Sequence, residues 1–341
     1  MSKQQAGYER FRFPNLYCKS SISMLEIMPD ILHLHWIYEF LDHPSFFNSI
    51  PDDLPIVWTL HDMTPFTGGC NYNWGCQYFK IGCHDCPQLA KSSHDFARKS
   101  FEIKFNSIKN KNIHAVANSR WIESEARKSQ MFSNVKTFQT IHYGLDTDVF
   151  CPKTKDVARK ELNIHSDKTI ISVGAVGLNS KRKGMLELIR AIQKIDDKRH
   201  ILLLAFGNGE IAKEIPGVEV VCTGYQISPE KLSTIYSASD FFVIPSLQEA
   251  FGQTSLEAMA CGIPVVGFDT GGIPDMVIPG ETGLLAREGD LDDLATKIQW
   301  MLKHSAERLS MGARARKLVE NGFTLEKQAE SYLSLYRDIY N

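Results

Sequence analysis

Two glutamates lie eight positions apart in the second half of the chain, in the stretch Pro245-Ser-Leu-Gln-Glu-Ala-Phe-Gly-Gln-Thr-Ser-Leu-Glu257. The pattern predicts Glu249 in a loop after a strand and Glu257 in the first turn of a helix. Thr254 or Ser255 can cap that helix. Free amides at the helix start attract a phosphate, and Gly252 lets the phosphate approach the backbone. The carboxylates suit sugar or ribose hydroxyls, which donate hydrogen bonds to them.

The same spacing has a simpler explanation. Glu249 can be an exposed loop residue, and Glu257 can do no more than complement the dipole of its helix. The spacing alone leaves both explanations open.

Three cations precede Gly184 at the end of another predicted strand. The run Lys181-Arg182-Lys183 lies between an apolar strand ending near Val173 and a helix beginning near Met185. Ligands of open α/β sheets bind beside the carboxyl ends of the strands, so a phosphate would approach these side chains. A solvated loop also carries such runs of charge, which is the alternative.

His61 directly follows the apolar run Leu54-Pro-Ile-Val-Trp-Thr-Leu60, which predicts a strand. Its imidazole can therefore face a ligand at the strand's carboxyl end, although hydrogen bonding within a loop would explain a histidine there equally well. His33 and His35 are weaker candidates, because they alternate on one strand and core or loop hydrogen bonds explain them as well.

Four cysteines, Cys70, Cys76, Cys83 and Cys86, follow in the pattern C-x5-C-x6-C-x2-C. Four converging sulfurs with one two-residue gap fit a structural zinc site, although the first two gaps are wide. The alternatives are reduced cysteines in a loop or a redox pair formed by the last two. The eight cysteines of the 341-residue chain are too few for a disulfide scaffold, and we expect them to be reduced.

Short apolar runs alternate with amphipathic stretches along the chain, which predicts an α/β fold. Predicted strands are 30–35, 54–60 and 113–117 in the first half, and 169–173, 200–205, 218–221, 240–244 and 264–268 in the second. Predicted helices include 185–195, 291–302 and 325–340. The length suits two domains, and the net charge of −2 gives no general attraction to nucleic acid.

The turn-rich segment 143–152 predicts a domain boundary. We expect an N-terminal domain at 1–147 with a Cys-rich loop at 69–87, a C-terminal domain at 148–322, and a helix at 323–341 that packs back toward the N-terminal domain. No stretch has the length of apolar sequence that a membrane span needs, so we expect a cytoplasmic protein.

The second half resembles the donor domain of family 4 retaining glycosyltransferases. The matching residues are Glu249-x7-Glu257, the following Ala-Met-Ala-Cys-Gly-Ile-Pro-Val-Val, Gly271-Gly272-Ile-Pro-Asp and Gly280-Glu-Thr-Gly-Leu-Leu285. In the first half, Pro29-Asp-Ile-Leu-His-Leu-His-Trp36 and Trp58-Thr-Leu-His-Asp-Met-Thr-Pro-Phe-Thr-Gly-Gly-Cys70 resemble a bacterial polysaccharide-biosynthesis branch. The resemblance implies the GT-B fold, in which two Rossmann-like domains with parallel sheets face an interdomain cleft.

The resemblance also implies a function, the transfer of a sugar from a nucleotide diphosphate sugar to a hydroxyl of a glycan or lipid-linked acceptor. Glu249 would hold hydroxyls of the sugar and Glu257 the ribose, while His61 would lie beside the reacting carbon. The leaving diphosphate would meet Lys183, Arg182 and the backbone of Phe251, Gly252, Gln253 and Thr254. No catalytic cofactor is implied, and a lipid-linked acceptor would bring the enzyme to the inner face of the membrane.

The chain departs from this family pattern in two places. It has only about thirty residues before the segment at Asp30, without the usual strand and Gly-Gly loop, so we expect a shortened N-terminal sheet and impaired activity. Ala175 stands where many relatives have a phosphate-binding arginine, and we expect Arg182 to replace it. Two alternative functions remain open, a non-catalytic nucleotide-sugar-binding subunit and a nucleotide-sugar epimerase. The sequence does not specify the oligomeric state.

Overall fold

The computed structural model describes residues 5, 7–15, 19–24, 26–209 and 215–341. The chain divides into two compact units, one formed by residues 1–142 and 330–341 and the other by residues 143–329. Residues 143–147, which the sequence suggested as the end of the first domain, pack with the second unit. The Leu145 N–H donates to the carbonyl of Phe323 at 2.9 Å, and the Tyr143 ring meets the Phe251 ring edge-on at 5.1 Å.

The first unit contains a parallel sheet with the strand order β1-β2-β3-β4. Its strands are β1 (Leu32–Leu34), β2 (Ile56–Leu60), β3 (Ile113–Ala117) and β4 (Thr137–Thr140). The sequence predicted the first three, because their residues are almost all apolar. It missed β4, whose alternating polar residues are exposed or half-buried at the edge of the sheet.

The second unit contains a six-stranded parallel sheet with the order β10-β9-β8-β5-β6-β7. Its strands are β5 (Thr169–Gly177), β6 (Ile201–Asn208), β7 (Glu219–Cys222), β8 (Phe241–Ile244), β9 (Val265–Phe268) and β10 (Gly283–Ala286). After β5, the chain adds β6 and β7 on one side of this strand. It then returns to the other side of β5 and adds β8, β9 and β10. The carboxyl ends of β5 and β8 therefore form a topological switch point, the usual ligand site of such sheets.

Ten α-helices accompany these strands in the described part of the chain. They are α1 (His43–Ser49), α2 (His94–Ile108), α3 (Arg120–Lys128), α4 (Lys155–Glu161), α5 (Met185–Gln193), α6 (Pro229–Ala238), α7 (Gln253–Ala260), α8 (Leu291–Lys303), α9 (Ser305–Gly322) and α10 (Leu325–Tyr340). The predicted helices 185–195 and 291–302 correspond to α5 and α8, which end within two residues of the predicted ends. The predicted helix 325–340 has the same bounds as α10. No helix in the described ranges has both the length and the apolar surface required to cross a bilayer.

The first unit buries the end of α10 against its sheet. Leu335 packs with Val57, Val116 and Ile141. In the second unit, apolar residues of β5, β6, β8 and β9 alternate between two clusters, which are covered by helices on the two faces of the sheet. Both faces of the central strands are thus buried, which is typical of a parallel sheet.

Candidate functional site

The loops that follow β5 and β8 are hydrogen-bonded and closely packed against each other at the switch point. The Leu247 N–H donates to the carbonyl of Arg182 at 2.8 Å. Gly184 has a φ of +66°, and a Cβ at this position would lie 1.7 Å from the carbonyl oxygen of Pro245. Because only glycine fits there, the cationic run and the loop carrying Glu249 are held beside one another.

The Glu249 carboxylate lies buried between the two predicted phosphate-binding cations. Its Oε2 accepts hydrogen bonds from Lys183 Nζ at 2.6 Å, Arg182 Nη1 at 3.3 Å and Ser246 Oγ at 3.2 Å. Among the described residues, no side chain or amide donates to its other oxygen, Oε1. Burial alone would raise the pKa of Glu249, but the charges of Lys183 and Arg182 outweigh it and hold the pKa below its usual value. The residue is therefore an ionised, buried acceptor, and the interpretation as an exposed loop residue is wrong.

Two glycines fix the backbone of Glu249 from the opposite side. The Gly272 N–H donates to the Glu249 carbonyl at 2.9 Å. At Gly271, whose φ is +57°, a Cβ would lie 1.8 Å from that same oxygen. The sequence showed Gly271-Gly272 only as part of a family pattern, and the contact explains why position 271 is a glycine. Ser246 gave no sequence signal at all.

Helix α7 begins earlier than the sequence predicted. Its N-cap is Gly252, with a φ of +99°, and no side chain caps the helix start, so the predicted caps at Thr254 and Ser255 are wrong. Gly252 takes the cap position because it alone adopts this backbone conformation without strain. The first-turn amides of Gln253 and Thr254 are at the carboxyl end of β8, where amides lack partners within the helix. Phe251 points its ring into the core, so only its backbone can face a ligand.

Glu257 lies in the second turn of α7, not the first, and is buried. Tyr236 donates its hydroxyl to Glu257 Oε2 at 2.7 Å. Burial raises the pKa of Glu257 to about 7, against the smaller opposite effect of the tyrosine hydrogen bond. A buried carboxyl this far from the helix start does not serve the helix dipole, since that effect is confined to the first turn. The sequence missed Tyr236.

We expect Glu257→Gln to stabilise the protein at neutral and higher pH. The folded pKa of about 7 exceeds the unfolded value of 4.5, so the folded chain binds more protons in this window and the unfolding free energy falls as pH rises through it. The amide carries no charge to desolvate and still accepts from Tyr236. The variant should gain about 3 kcal/mol above pH 7 and almost nothing near pH 4.5.

Urea unfolding at pH 5 and pH 8 measures this difference. Glu281→Gln is the matched control, because Glu281 is exposed and its substitution should change little at either pH. Equal stability of Glu257→Gln and the unchanged protein at pH 8 would show that the carboxyl is not desolvated.

His61 lies directly after β2 and contacts His35. The distance from His61 Nε2 to His35 Nδ1 is 3.0 Å, and the two rings stack with centroids 5.3 Å apart. Burial, aided by the charge of His35, lowers the pKa of His61 to about 4. His61 is therefore neutral at physiological pH, and so is His35, whose pKa burial also lowers.

His33 belongs to a second hydrogen-bonded group on the same strand. Its Nε2 lies 2.8 Å from the Thr59 hydroxyl and its Nδ1 lies 2.6 Å from the Tyr336 hydroxyl, while Tyr332 bonds the same threonine at 2.7 Å. These contacts connect the end of α10 to the sheet. Hydrogen bonding explains His33 fully, as the sequence had allowed.

The predicted zinc ligands lie together but do not form a preformed metal site. Cys70, Cys76, Cys83 and Cys86 are all unoxidised thiols and line one small cavity. Among the described residues, no three histidine, cysteine, aspartate or glutamate side chains are arranged to hold a metal ion as they stand.

Comparison with known proteins finds sequence relatives among glycosyltransferases. Residues 167–304 match the family described as "Glycosyl transferases group 1". N-acetyl-alpha-D-glucosaminyl L-malate synthase of Bacillus anthracis is 28% identical over 353 aligned positions, which cover 97% of this chain and 82% of that protein. The chain therefore resembles glycosyltransferases along most of its length, and the group 1 family over residues 167–304. Its matched segment contains Lys183, Arg182, Glu249 and Glu257, so the family match and the buried cluster fall on the same residues.

Other relatives match a shorter part of the chain. A D-inositol 3-phosphate glycosyltransferase of Mycobacteroides abscessus is 31% identical over 208 positions, covering 58% of this chain and 45% of that protein. The chain thus spans less than half the length of this relative.

Solved structures confirm the predicted fold. Sucrose-phosphate synthase from Thermosynechococcus elongatus superposes with a TM-score of 0.65 at 24% identity, covering 91% of this chain and 74% of that one. HepE of Anabaena, in complex with UDP and glucose, gives a TM-score of 0.64 at 17% identity and covers 83% and 72%. The chain therefore has the GT-B type of α/β fold with two parallel sheets.

Proposed function

We propose that the protein is a retaining, family 4 type glycosyltransferase that moves a sugar from a nucleoside diphosphate sugar to a hydroxyl of a glycan or lipid-linked acceptor in polysaccharide biosynthesis. One observation carries this proposal. An ionised, buried glutamate shares the switch point with a lysine and an arginine, so one small site offers both a hydroxyl acceptor and two phosphate-binding cations. HepE, which shares the fold, has been solved in complex with UDP and glucose, which supports a donor of this class.

The charges of the site explain how such a donor would be held. In the free protein, Lys183 and Arg182 both form ion pairs with Glu249, whose single negative charge offsets only one of the two cations. A diphosphate brings a second anion to the same cations, and the hydroxyls of the sugar can donate to Oε1 of Glu249, which has no donor among the described residues. The amides at the start of α7 add further donors to the phosphates. We assign the ribose hydroxyls to Glu257.

The same groups would act in the chemical step. As the bond between the anomeric carbon and the phosphate oxygen breaks, negative charge grows on the leaving diphosphate, and Lys183 and Arg182 stabilise it. The leaving phosphate accepts the proton of the attacking hydroxyl, so that the new bond forms on the face that the phosphate leaves. Glu249 holds the sugar and is not the nucleophile. His61 keeps the position beside the reacting carbon that the family resemblance implies.

Calorimetric titration of the full chain with UDP-, GDP- and ADP-sugars tests the donor assignment. One of these should bind, and Arg182→Ala should weaken its binding by about 10-fold or more, because a charged hydrogen bond to phosphate is lost. Arg190→Ala is the matched control, since Arg190 is an exposed arginine on α5.

Unchanged donor affinity in Arg182→Ala would contradict the assigned role of Arg182, and absence of binding by all three donor classes would contradict the function. Binding without transfer or hydrolysis, even in the presence of acceptor extracts, would instead favour a non-catalytic donor-binding subunit. A product formed without acceptor would indicate an epimerase. With a lipid-linked acceptor, the enzyme would work at the inner face of the membrane.

A further inference from the structure

The Cys-rich loop between β2 and α2 folds around a small enclosed cavity. All four of its cysteines, Cys70, Cys76, Cys83 and Cys86, line this cavity. The cavity measures about 10 Å³, which is close to the space that a single water-sized sphere occupies. Three of these cysteines are buried and one is half-buried. The four sulfurs of the loop thus line a space large enough for one atom.

A backbone amide donates to one of these sulfurs. The donor is the N–H of Gly68 and the acceptor is Cys83 Sγ, at a distance of 3.1 Å. A hydrogen bond donated to sulfur favours the thiolate over the thiol. Thiolates, not thiols, bind metals, and outer hydrogen bonds of this kind orient metal ligands. The Gly68 amide therefore orients the Cys83 sulfur at the edge of the cavity.

A fully buried lysine stands next to these sulfurs. Lys104 has no exposed surface, and its Nζ donates to the carbonyls of Thr64 and Thr67, the latter at 2.8 Å. Within the described ranges, no carboxylate lies within 4.0 Å of the Lys104 amine, whose charge interacts with Cys83, Cys70 and Asp62. A lysine that is charged in a buried position is costly unless anions compensate it. A metal held by four thiolates would place a further anion beside Lys104.

We propose that Cys70, Cys76, Cys83 and Cys86 bind one structural zinc ion, with Lys104 compensating the charge of the complex. Binding converts four thiols and Zn²⁺ into a tetrathiolate complex of net charge −2 and releases four protons, so no oxidant or reductant is involved. In this structure the four cysteines are thiols, and no three side chains in the described part of the chain are already arranged as metal ligands. Zinc binding must therefore bring the sulfurs closer together. The cavity lies at the point toward which they would move.

Such an ion would brace the segment that carries His61. The loop begins within ten residues of His61, and a closed tetrathiolate site contributes folding energy and leaves no open position for substrate. We therefore assign the zinc a structural role in the first unit, independent of the donor-binding function proposed above.

Metal analysis of the full chain, purified under reducing conditions, tests this site. We expect about one zinc per chain by mass spectrometry of the metal, and after exchange with Co²⁺ the visible bands of a tetrahedral cobalt–thiolate complex. Cys76→Ser should weaken zinc binding by more than the roughly 10–100-fold typical of a lost outer hydrogen bond. Cys222→Ser is the matched control, because Cys222 is an exposed cysteine far along the chain in the second unit.

The outcomes separate the alternatives. Zinc absent from the purified chain, together with no cobalt–thiolate bands after addition of Co²⁺, overturns the proposal. So does zinc retained equally by Cys76→Ser and Cys222→Ser, which would indicate adventitious binding. A disulfide between Cys83 and Cys86 in the chain purified without reductant, with no metal bound, would show a redox pair instead. Because the unsubstituted chain decides the first outcome, poor folding of a variant does not remove the test.

Discussion

Lys183→Ala is expected to lower kcat for sugar transfer by about 10²–10³-fold, the usual cost of removing one group that stabilises charge in a transition state. The Lys183 ammonium is only 2.6 Å from Glu249 and lies at the carboxyl end of β5, where the leaving diphosphate would gain negative charge. Arg182 cannot replace it fully, since its Nη1 is also bonded to the Gln248 carbonyl at 2.9 Å. Steady-state kinetics with the donor found by calorimetry measures the effect.

The same substitution also disturbs the fold, and a second variant separates the two effects. Removing Lys183 leaves the buried carboxylate of Glu249 with fewer partners, which costs stability. In Lys183→Ala combined with Glu249→Gln, that buried charge is gone, so stability should recover while transfer stays well below that of Glu249→Gln alone. Lys181→Ala, the substitution of an exposed neighbour, is the control and should retain nearly full activity. Equal transfer by the double variant and Glu249→Gln alone would show that Lys183 acts only through stability.

The elements of this fold could be predicted where burial dominates the sequence. Strands such as β2 and β8 are buried along their whole length, so their apolar runs identify them. The short β10, which the sequence missed, has two half-buried residues and begins at Gly283. Its glycine is required because a Cβ there would lie 2.0 Å from the Val265 carbonyl, a contact that exists only after the strands pair.

The site was harder to predict than the fold, because its contacts depend on strand order. The sequence placed Glu249 and Lys183 each near the carboxyl end of a strand, but they are 66 residues apart in the chain. Their ion pair follows from β5 and β8 being neighbours, which local patterns do not specify. Likewise, the hydrogen bond from Tyr236 to Glu257 joins α6 to α7, and a tyrosine on an amphipathic helix is normally read as a packing residue. Family resemblance identified the residues, but not their partners.

The histidine pair gives a prediction for the first unit. Since His61 and His35 are both neutral, one ring nitrogen must donate and the other accept across their 3.0 Å contact, which couples the tautomers of the two rings. His61→Ala is expected to lower transfer by about 10²-fold through loss of sugar positioning. His35→Ala should have a smaller effect on kcat and should change the tautomer of His61, which nitrogen NMR of the histidine rings reports. His165→Ala, at an exposed histidine, is the control.

The lowered pKa values also determine how stability should vary with pH. The pKa of His61 is about 4 in the folded chain and 6.5 when unfolded, so between these values the unfolded chain binds more protons. The unfolding free energy should therefore fall as pH falls from 6.5 to 4 and should be insensitive to this group above 6.5. His33, lowered to about 4 by burial and by the charges of His35 and His61, acts in the same direction. Urea unfolding at pH 7 and pH 5 should show a smaller loss of stability in His61→Ala than in the unchanged chain. If His61→Ala and the unchanged chain lost the same unfolding free energy between pH 7 and pH 5, His61 would not be desolvated. The tautomer coupling, which requires a neutral His61, would then be contradicted as well.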